Sequence, residues 1–82
     1  MEIKILGSGC AKCHQLEQLV KEVVKELEID AEIYYVKNIT GIMEYPILTT
    51  PGLVIDEKVV SSGKVPTKAE ITGYITTALG EE

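Results

Sequence analysis

Two periods of apolar spacing alternate along this chain. Glu2 to Leu6 carries Ile3, Ile5 and Leu6 and stops at Gly7, which predicts a short strand. From about Ala11 to Glu28 the spacing lengthens. Cys13, Leu16, Val20, Val23 and Leu27 recur at intervals of three and four, the apolar stripe of an amphipathic helix. Lys21, Glu22, Lys25 and Glu26 fall on the opposite, solvated side. Ile29-Asp30 ends that helix, and Ala31 to Val36, rich in β-branched and aromatic residues, predicts a second strand. Strand, helix and strand in so short a span imply parallel strands joined by a right-handed crossover. Between the first strand and the helix, Gly7-Ser8-Gly9 forms a tight connection in which Ser8 is the expected capping residue.

The second half is built from shorter pieces. Asn38 caps a short predicted helix that runs to about Glu44. Pro46 and Thr49-Thr50-Pro51-Gly52 form a loop. Leu53-Val54-Ile55 and Lys58-Val59-Val60 are apolar runs split by Asp56-Glu57, a predicted antiparallel hairpin without the usual Asn-Gly or Asp-Gly turn. After the loop from Ser61 to Pro66, Thr67-Lys68-Ala69-Glu70 has the form of a capping box. Ile71, Tyr74, Ile75, Ala78 and Leu79 mark the apolar face of a last helix that ends at Gly80, with Glu81-Glu82 expected to fray. The order βαβαββα predicts an α/β fold, a four-stranded mixed sheet covered by helices.

Length and charge narrow the function classes. The 82 residues suffice for one small domain, taken as residues 1–82 and expected to be a monomer. With no tryptophan or phenylalanine, the core must be built from Ile, Leu, Val, Ala and the four tyrosines. The net charge is −5 and no Lys/Arg cluster appears, so nucleic acid and anionic membranes are poor partners. Met1-Glu2-Ile3-Lys4 does not open a secretory signal, and no apolar run approaches membrane-spanning length. The expected location is the cytoplasm, where thiols are kept reduced.

The only two cysteines stand in Cys10-Ala11-Lys12-Cys13-His14. Thiols at this spacing can form a disulfide across the first helical turn. Cys10 falls at a helix N-terminus, where the dipole and unpaired amides favour the thiolate. Cys13 lies one turn in, on the apolar stripe, and is expected to be more buried. That asymmetry suits an attacking thiolate and a sheltered resolving thiol. A purely structural disulfide is weak by comparison, since so small a loop stabilises by about 2 kcal/mol at most. Soft-metal carriage is the rival: two thiolates suit Cu(I). A closed zinc site needs four ligands, and this chain offers Cys10, Cys13 and His14 at best. The metal-carrier fold also runs βαββαβ and ends on a strand, unlike this chain. Covalent haem attachment, the literal reading of Cys-x-x-Cys-His, would use His14 with Met43 as a second ligand, but the strand-rich pattern is unlike a small helical cytochrome.

Three features together resemble the thioredoxin superfamily over nearly the whole chain, and more closely its small glutaredoxin-sized redox-active disulfide proteins of archaea and anaerobic bacteria. They are Cys10-Ala11-Lys12-Cys13 after the first strand, Thr50-Pro51 before the hairpin, and the loop from Gly63 to Pro66 before the last helix. The resemblance implies a thioredoxin-like fold with strand order 2-1-3-4 and a dithiol–disulfide oxidoreductase that needs no metal or organic cofactor. It implies a disulfide-containing protein substrate and an external reductase. Pro51 is then a cis proline facing the cysteines, and Thr50 the residue whose backbone pairs with an extended substrate segment. Two departures stand out. Gly9 replaces the tryptophan that precedes the first cysteine in thioredoxins proper, and the buried acid six residues before that cysteine falls on Lys4. Lys12 and His14 are candidates for tuning the thiols through charge or proton relay.

Overall fold

The fold was obtained as a computed structural model that describes residues 1–47 and 49–80; the expected fraying of Glu81-Glu82 lies outside them. The elements are β1 (Glu2–Leu6), α1 (Ala11–Leu27), β2 (Glu32–Val36), α2 (Ile39–Ile42), β3 (Gly52–Ile55), β4 (Lys58–Ser62) and α3 (Lys68–Gly80). The strands form one mixed sheet in the order β2-β1-β3-β4. β1 runs parallel to β2 and antiparallel to β3, and β3 is antiparallel to β4. This is the α/β architecture and strand order expected.

Side-chain alternation divides the core between the two faces of the sheet. Ile3 and Ile5 of β1 point to one face, with Leu53 and Ile55 of β3. Leu16, Val20 and Val23 of α1 and Ile71 and Ile75 of α3 close over them. Leu6 of β1 and Val54 of β3 point to the other face, where Ile42 of α2 covers them. Both central strands are therefore covered on two sides, and every residue of β3 is buried. The outer strands β2 and β4 carry exposed charges, Glu32 and Lys58, which discourage edge-to-edge pairing. Leu79, expected on the apolar face of α3, is 39% exposed, because the core contact is made by Ile71 and Ile75.

Local signals explain most boundaries. Glu28 adopts the left-handed conformation after α1, and its amide donates to Lys25 O and Val24 O. Asn38 caps α2 by accepting from Gly41 N. The helix stops at Ile42, short of the expected Glu44. The hairpin turn was the open point. Asp56 and Glu57 both take positive φ, 48° and 71°, the pairing of signs found in a type I′ turn, which explains how a two-residue connection forms without glycine. Two bonds to Glu2 hold it: Asp56 N donates to Glu2 O at 2.8 Å, and Glu2 N donates to Asp56 Oδ1 at 2.9 Å. The register slips by one residue beside Leu53 and Val54, a β-bulge that alternation alone does not reveal.

The capping box is formed reciprocally. Glu70 N donates to Thr67 Oγ1 at 3.1 Å, and Thr67 N donates to Glu70 Oε1 at 3.0 Å. The Thr67 amide, with the Lys64 ammonium 3.7 Å away, holds the Glu70 carboxyl below its ordinary 4.5. Thr67→Ala is expected to lower stability by about 1 kcal/mol, read as a shifted denaturation midpoint at unchanged slope. Glu70→Ala should behave differently with pH. A depressed carboxyl contributes stability that is present above its unfolded value and disappears as pH falls through its folded one. The deficit of Glu70→Ala should therefore narrow on acidification below 4.5, whereas that of Thr67→Ala persists.

Candidate active site

The first turn of α1 is closed by sulfur. Cys10 occupies the N-cap with extended backbone (φ −72°, ψ 166°), and its Sγ accepts a hydrogen bond from the backbone N–H of Cys13 at 3.3 Å. The expected cap, Ser8, lies two residues upstream of that position and is exposed. An N-cap acceptor normally is an oxygen that reaches the third amide of the helix. Here the three-residue spacing of the cysteines puts a thiol in that role and makes the second cysteine its donor. Cys10 is exposed and Cys13 is fully buried, and both are reduced.

Two glycines permit this arrangement. Gly9 has φ 95°, a conformation that side chains rarely adopt, and turns the chain into the helix. Gly7 is needed for space: a Cβ there would overlap Cys13 Sγ and stand 3.0 Å from Cys13 Cβ. Gly7 N also donates to Val36 O at 3.0 Å, which extends the β1–β2 ladder into the loop. Cys13 is thus seated on the backbone at the end of the central strand.

The register brings the proline loop to the same end of the sheet. Leu6 pairs with Gly52, so the chain continues to Gly7 on one strand and back to Pro51 on its antiparallel neighbour. The Thr50–Pro51 peptide is cis, Pro51 is buried and Thr50 is exposed. Pro51 O accepts from Gly63 N at 2.9 Å, which ties the Gly63 to Pro66 loop to this end as well. Beside Thr50 lies a depression of about 460 Å³ lined by Ile42, Met43, Ile47, Thr49 and Thr50. Ile39 and Met43, at 72% and 76% exposure, add apolar surface on α2.

The Cys10 thiol is held below its ordinary 9.0, first by hydrogen bonding with the Cys13 thiol and then by the backbone N–H of Cys13, with a smaller contribution from the Lys12 backbone. Lys12 is exposed. His14 is also exposed, with its Nδ1 4.0 Å from Glu17 Oε1 and its ring centroid 5.8 Å from that of Tyr35.

Lys4 stands apart from the cysteines. It shares a face of β1 with Leu6, opposite the face covered by α1. There its ammonium donates to Tyr45 Oη at 2.8 Å and pairs with Glu57 Oε1 at 2.5 Å, which holds it above its ordinary value. Tyr45 belongs to this cluster and donates to Glu57 Oε2 at 3.1 Å. A different tyrosine reaches the site. Tyr35 of β2 pairs with Ile5 and lies on the α1 face, with its hydroxyl buried near Gly7 and Cys13. The alternation of β2 relative to Ile5 was the sequence signal for its face; its proximity to the thiol depends on the register.

Comparison with known proteins agrees with this geometry. A family described as Thioredoxin domain matches residues 1–76. Curated relatives include a thioredoxin of Methanothermobacter thermautotrophicus, 44% identical over 71 residues that span 87% of this chain and 92% of that protein. Another is a thioredoxin of Methanocaldococcus jannaschii, 45% identical over 69 residues, 84% of this chain and 79% of that protein. Thioredoxin 1 from the thermophilic eubacterium Thermosipho africanus superposes with a TM-score of 0.66 at 20% identity, covering 98% of this chain and 96% of its own, a likeness of fold. None of these relatives supports the Cu(I)-carrier alternative.

Two substitutions test the geometry. Cys10 alkylation in the wild type should reach its half-maximal rate at a pH below 9.0, and Cys13→Ala should move that midpoint upward, because the largest contribution to the lowering is removed. Gly7→Ala should lower stability by about 1–3 kcal/mol, since the new methyl group must displace Cys13 or the strand end. Chemical denaturation of the reduced protein checks it.

Proposed function

This chain belongs to the thioredoxin family and is a dithiol–disulfide oxidoreductase of thioredoxin type; from that premise we propose that it reduces protein disulfides, with Cys10 as nucleophile and Cys13 as resolving thiol. The observation that carries the assignment is the asymmetry of the pair. Cys10 is exposed, caps a helix and has a lowered thiol pKa, whereas Cys13 is buried directly behind it. Cys10 thiolate attacks one sulfur of a target disulfide, and the other target sulfur leaves as a thiolate and takes up a proton. Cys13 then attacks Cys10 Sγ, the bond between Cys10 and the target breaks, and the Cys10–Cys13 disulfide remains. An external dithiol reductase must return two electrons to complete the cycle.

Thr50 is the docking residue in this reading. It is exposed, precedes a cis proline at the same end of the sheet as the cysteines and borders the apolar depression beside α2. An extended target segment pairs there through its backbone, and the depression receives an apolar side chain next to the target disulfide. Lys12 and His14, beside the pair in sequence, are in this reading the residues that tune the thiols, through charge or proton relay. Among the described residues no helix is long and apolar enough to cross a membrane, and a reducing compartment such as the cytosol suits the direction of electron flow.

Reduction of insulin disulfides by the dithiol form tests the reading. Wild-type protein is expected to turn over with a chemical reductant, Cys10→Ser to lose activity, and Cys13→Ser to accumulate a mixed disulfide through Cys10. Persistence of exchange in Cys10→Ser removes the nucleophile assignment. Equilibration with a thiol buffer separates the direction: a potential between about −270 and −200 mV fits a reductase, whereas a value near −120 mV marks an oxidant, with about 30 mV equivalent to tenfold in equilibrium constant.

A further inference from the structure

The Tyr35 hydroxyl is a buried donor beside the Cys13 sulfur. Its oxygen is shielded from solvent and has no partner of hydrogen-bonding geometry among the described residues. The space it borders is identified by Gly7: a Cβ built there would overlap Cys13 Sγ and lie 3.8 Å from Tyr35 Oη. The hydroxyl and the sulfur therefore flank the same small gap above the end of β1, and the thiol is near enough to act on the phenol electrostatically. A buried hydroxyl without a partner is unfavourable. A thiol sulfur is a weak acceptor and relieves that cost poorly, whereas a thiolate is a strong one. Ionisation of Cys13 supplies the partner the hydroxyl lacks.

We propose that the Tyr35 hydroxyl donates a hydrogen bond to Cys13 as this thiol ionises, and so promotes resolution of the mixed disulfide. The proposal rests on the assignment of Cys13 as resolving thiol. In that step Cys13 gives up its proton to water, its thiolate forms the bond to Cys10 Sγ, and the bond from Cys10 to the target breaks. The target sulfur leaves with the electron pair and takes a proton from water. Tyr35 remains protonated throughout: burial, with the Cys13 thiol, pushes its phenol up to about 12, so it serves as donor and not as base. The ionisable groups around it are Cys10, Cys13, His14 and Glu17 on α1, and Lys37 after β2, whose ammonium lies 5.1 Å above the Tyr35 ring. Lys4, at the position of the family's buried acid, is on the other face of the sheet.

Tyr35→Phe removes the hydroxyl and keeps the ring. In a Cys10→Ser background, where Cys13 is the sole thiol, the NMR shift of the Cys13 β-carbon is followed against pH with and without the substitution. The midpoint is expected to rise by about one pH unit when the hydroxyl is absent. With Cys10 restored, release of a target from the mixed disulfide is timed in a single turnover below that midpoint. There is then about tenfold less thiolate, each about threefold more nucleophilic for its higher basicity, so release should slow about threefold. A role in packing alone would move the thermal midpoint and leave both readouts in place. An unchanged Cys13 midpoint, or an unchanged release rate, overturns the proposal while mixed-disulfide formation by the wild type keeps the exchange reading intact. Failure of the wild type to form any mixed disulfide overturns that reading and the resolution role together; the titration, which needs no target, distinguishes the two failures.

Discussion

The hydrogen bond from the Cys13 amide to the Cys10 sulfur links the chemistry of this protein to the start of its longest helix. An N-cap must accept from an amide near the third helical position. Two cysteines separated by two residues meet that requirement with the same atoms that exchange disulfides. Proton loss from Cys10 turns a weak sulfur acceptor into a strong one, so the ionisation that creates the nucleophile also tightens the cap. The linkage has a definite sign. Because the folded thiol lies below its ordinary 9.0, its contribution to stability is complete above that value and is lost as pH falls through the folded one. Oxidation removes the thiolate, and with it this contribution to the reduced form.

The capped turn works only because it is seated on a backbone without a side chain. Gly7 lets α1 approach the end of β1 until Cys13 is sealed from solvent, and the Leu6–Gly52 pairing returns Pro51 to the same end. Cysteines, glycine loop and proline loop thus come from residues distant in sequence and meet where the two central strands stop. The core beneath is formed by Ile5, Leu16 and Leu53. Rigidity there matters to the chemistry, since a resolving thiol must find Cys10 Sγ without searching.

The elements were legible wherever one local pattern decided them. The α1 stripe, the capping box at Thr67 and the hairpin runs all follow from spacing, and so does the placing of Cys10 exposed and Cys13 buried. What escaped were features fixed by register or by competition between neighbours. Ser8 is the better capping residue by type, yet the chain turns at Gly9 and presents Cys10. The Asp56-Glu57 turn has no glycine, and its left-handed φ values accompany bonds to Glu2 that lie far away in sequence. Tyr35 and Tyr45 were indistinguishable as isolated aromatics. Pairing with Ile5 sends one toward Cys13, while the other meets Lys4 and Glu57.

That division of tyrosines bears on why a lysine is tolerated where the family places an acid. A cation facing the α1 side would compete with the helix amides for the Cys10 thiolate and would need a buried counter-ion. On the α2 side, Lys4 instead has a carboxylate and a phenol within reach at the sheet margin, and its charge is compensated without involving either thiol. The α1 side is left with an uncharged donor. A carboxylate near Cys13 would repel the forming thiolate while accepting its proton; a phenol held protonated does neither and only stabilises the charge after the proton has gone. In the proposed step Cys13 gives its proton to water, so release from the mixed disulfide follows the thiolate fraction of Cys13 itself, which the Tyr35 hydroxyl raises without taking up a proton.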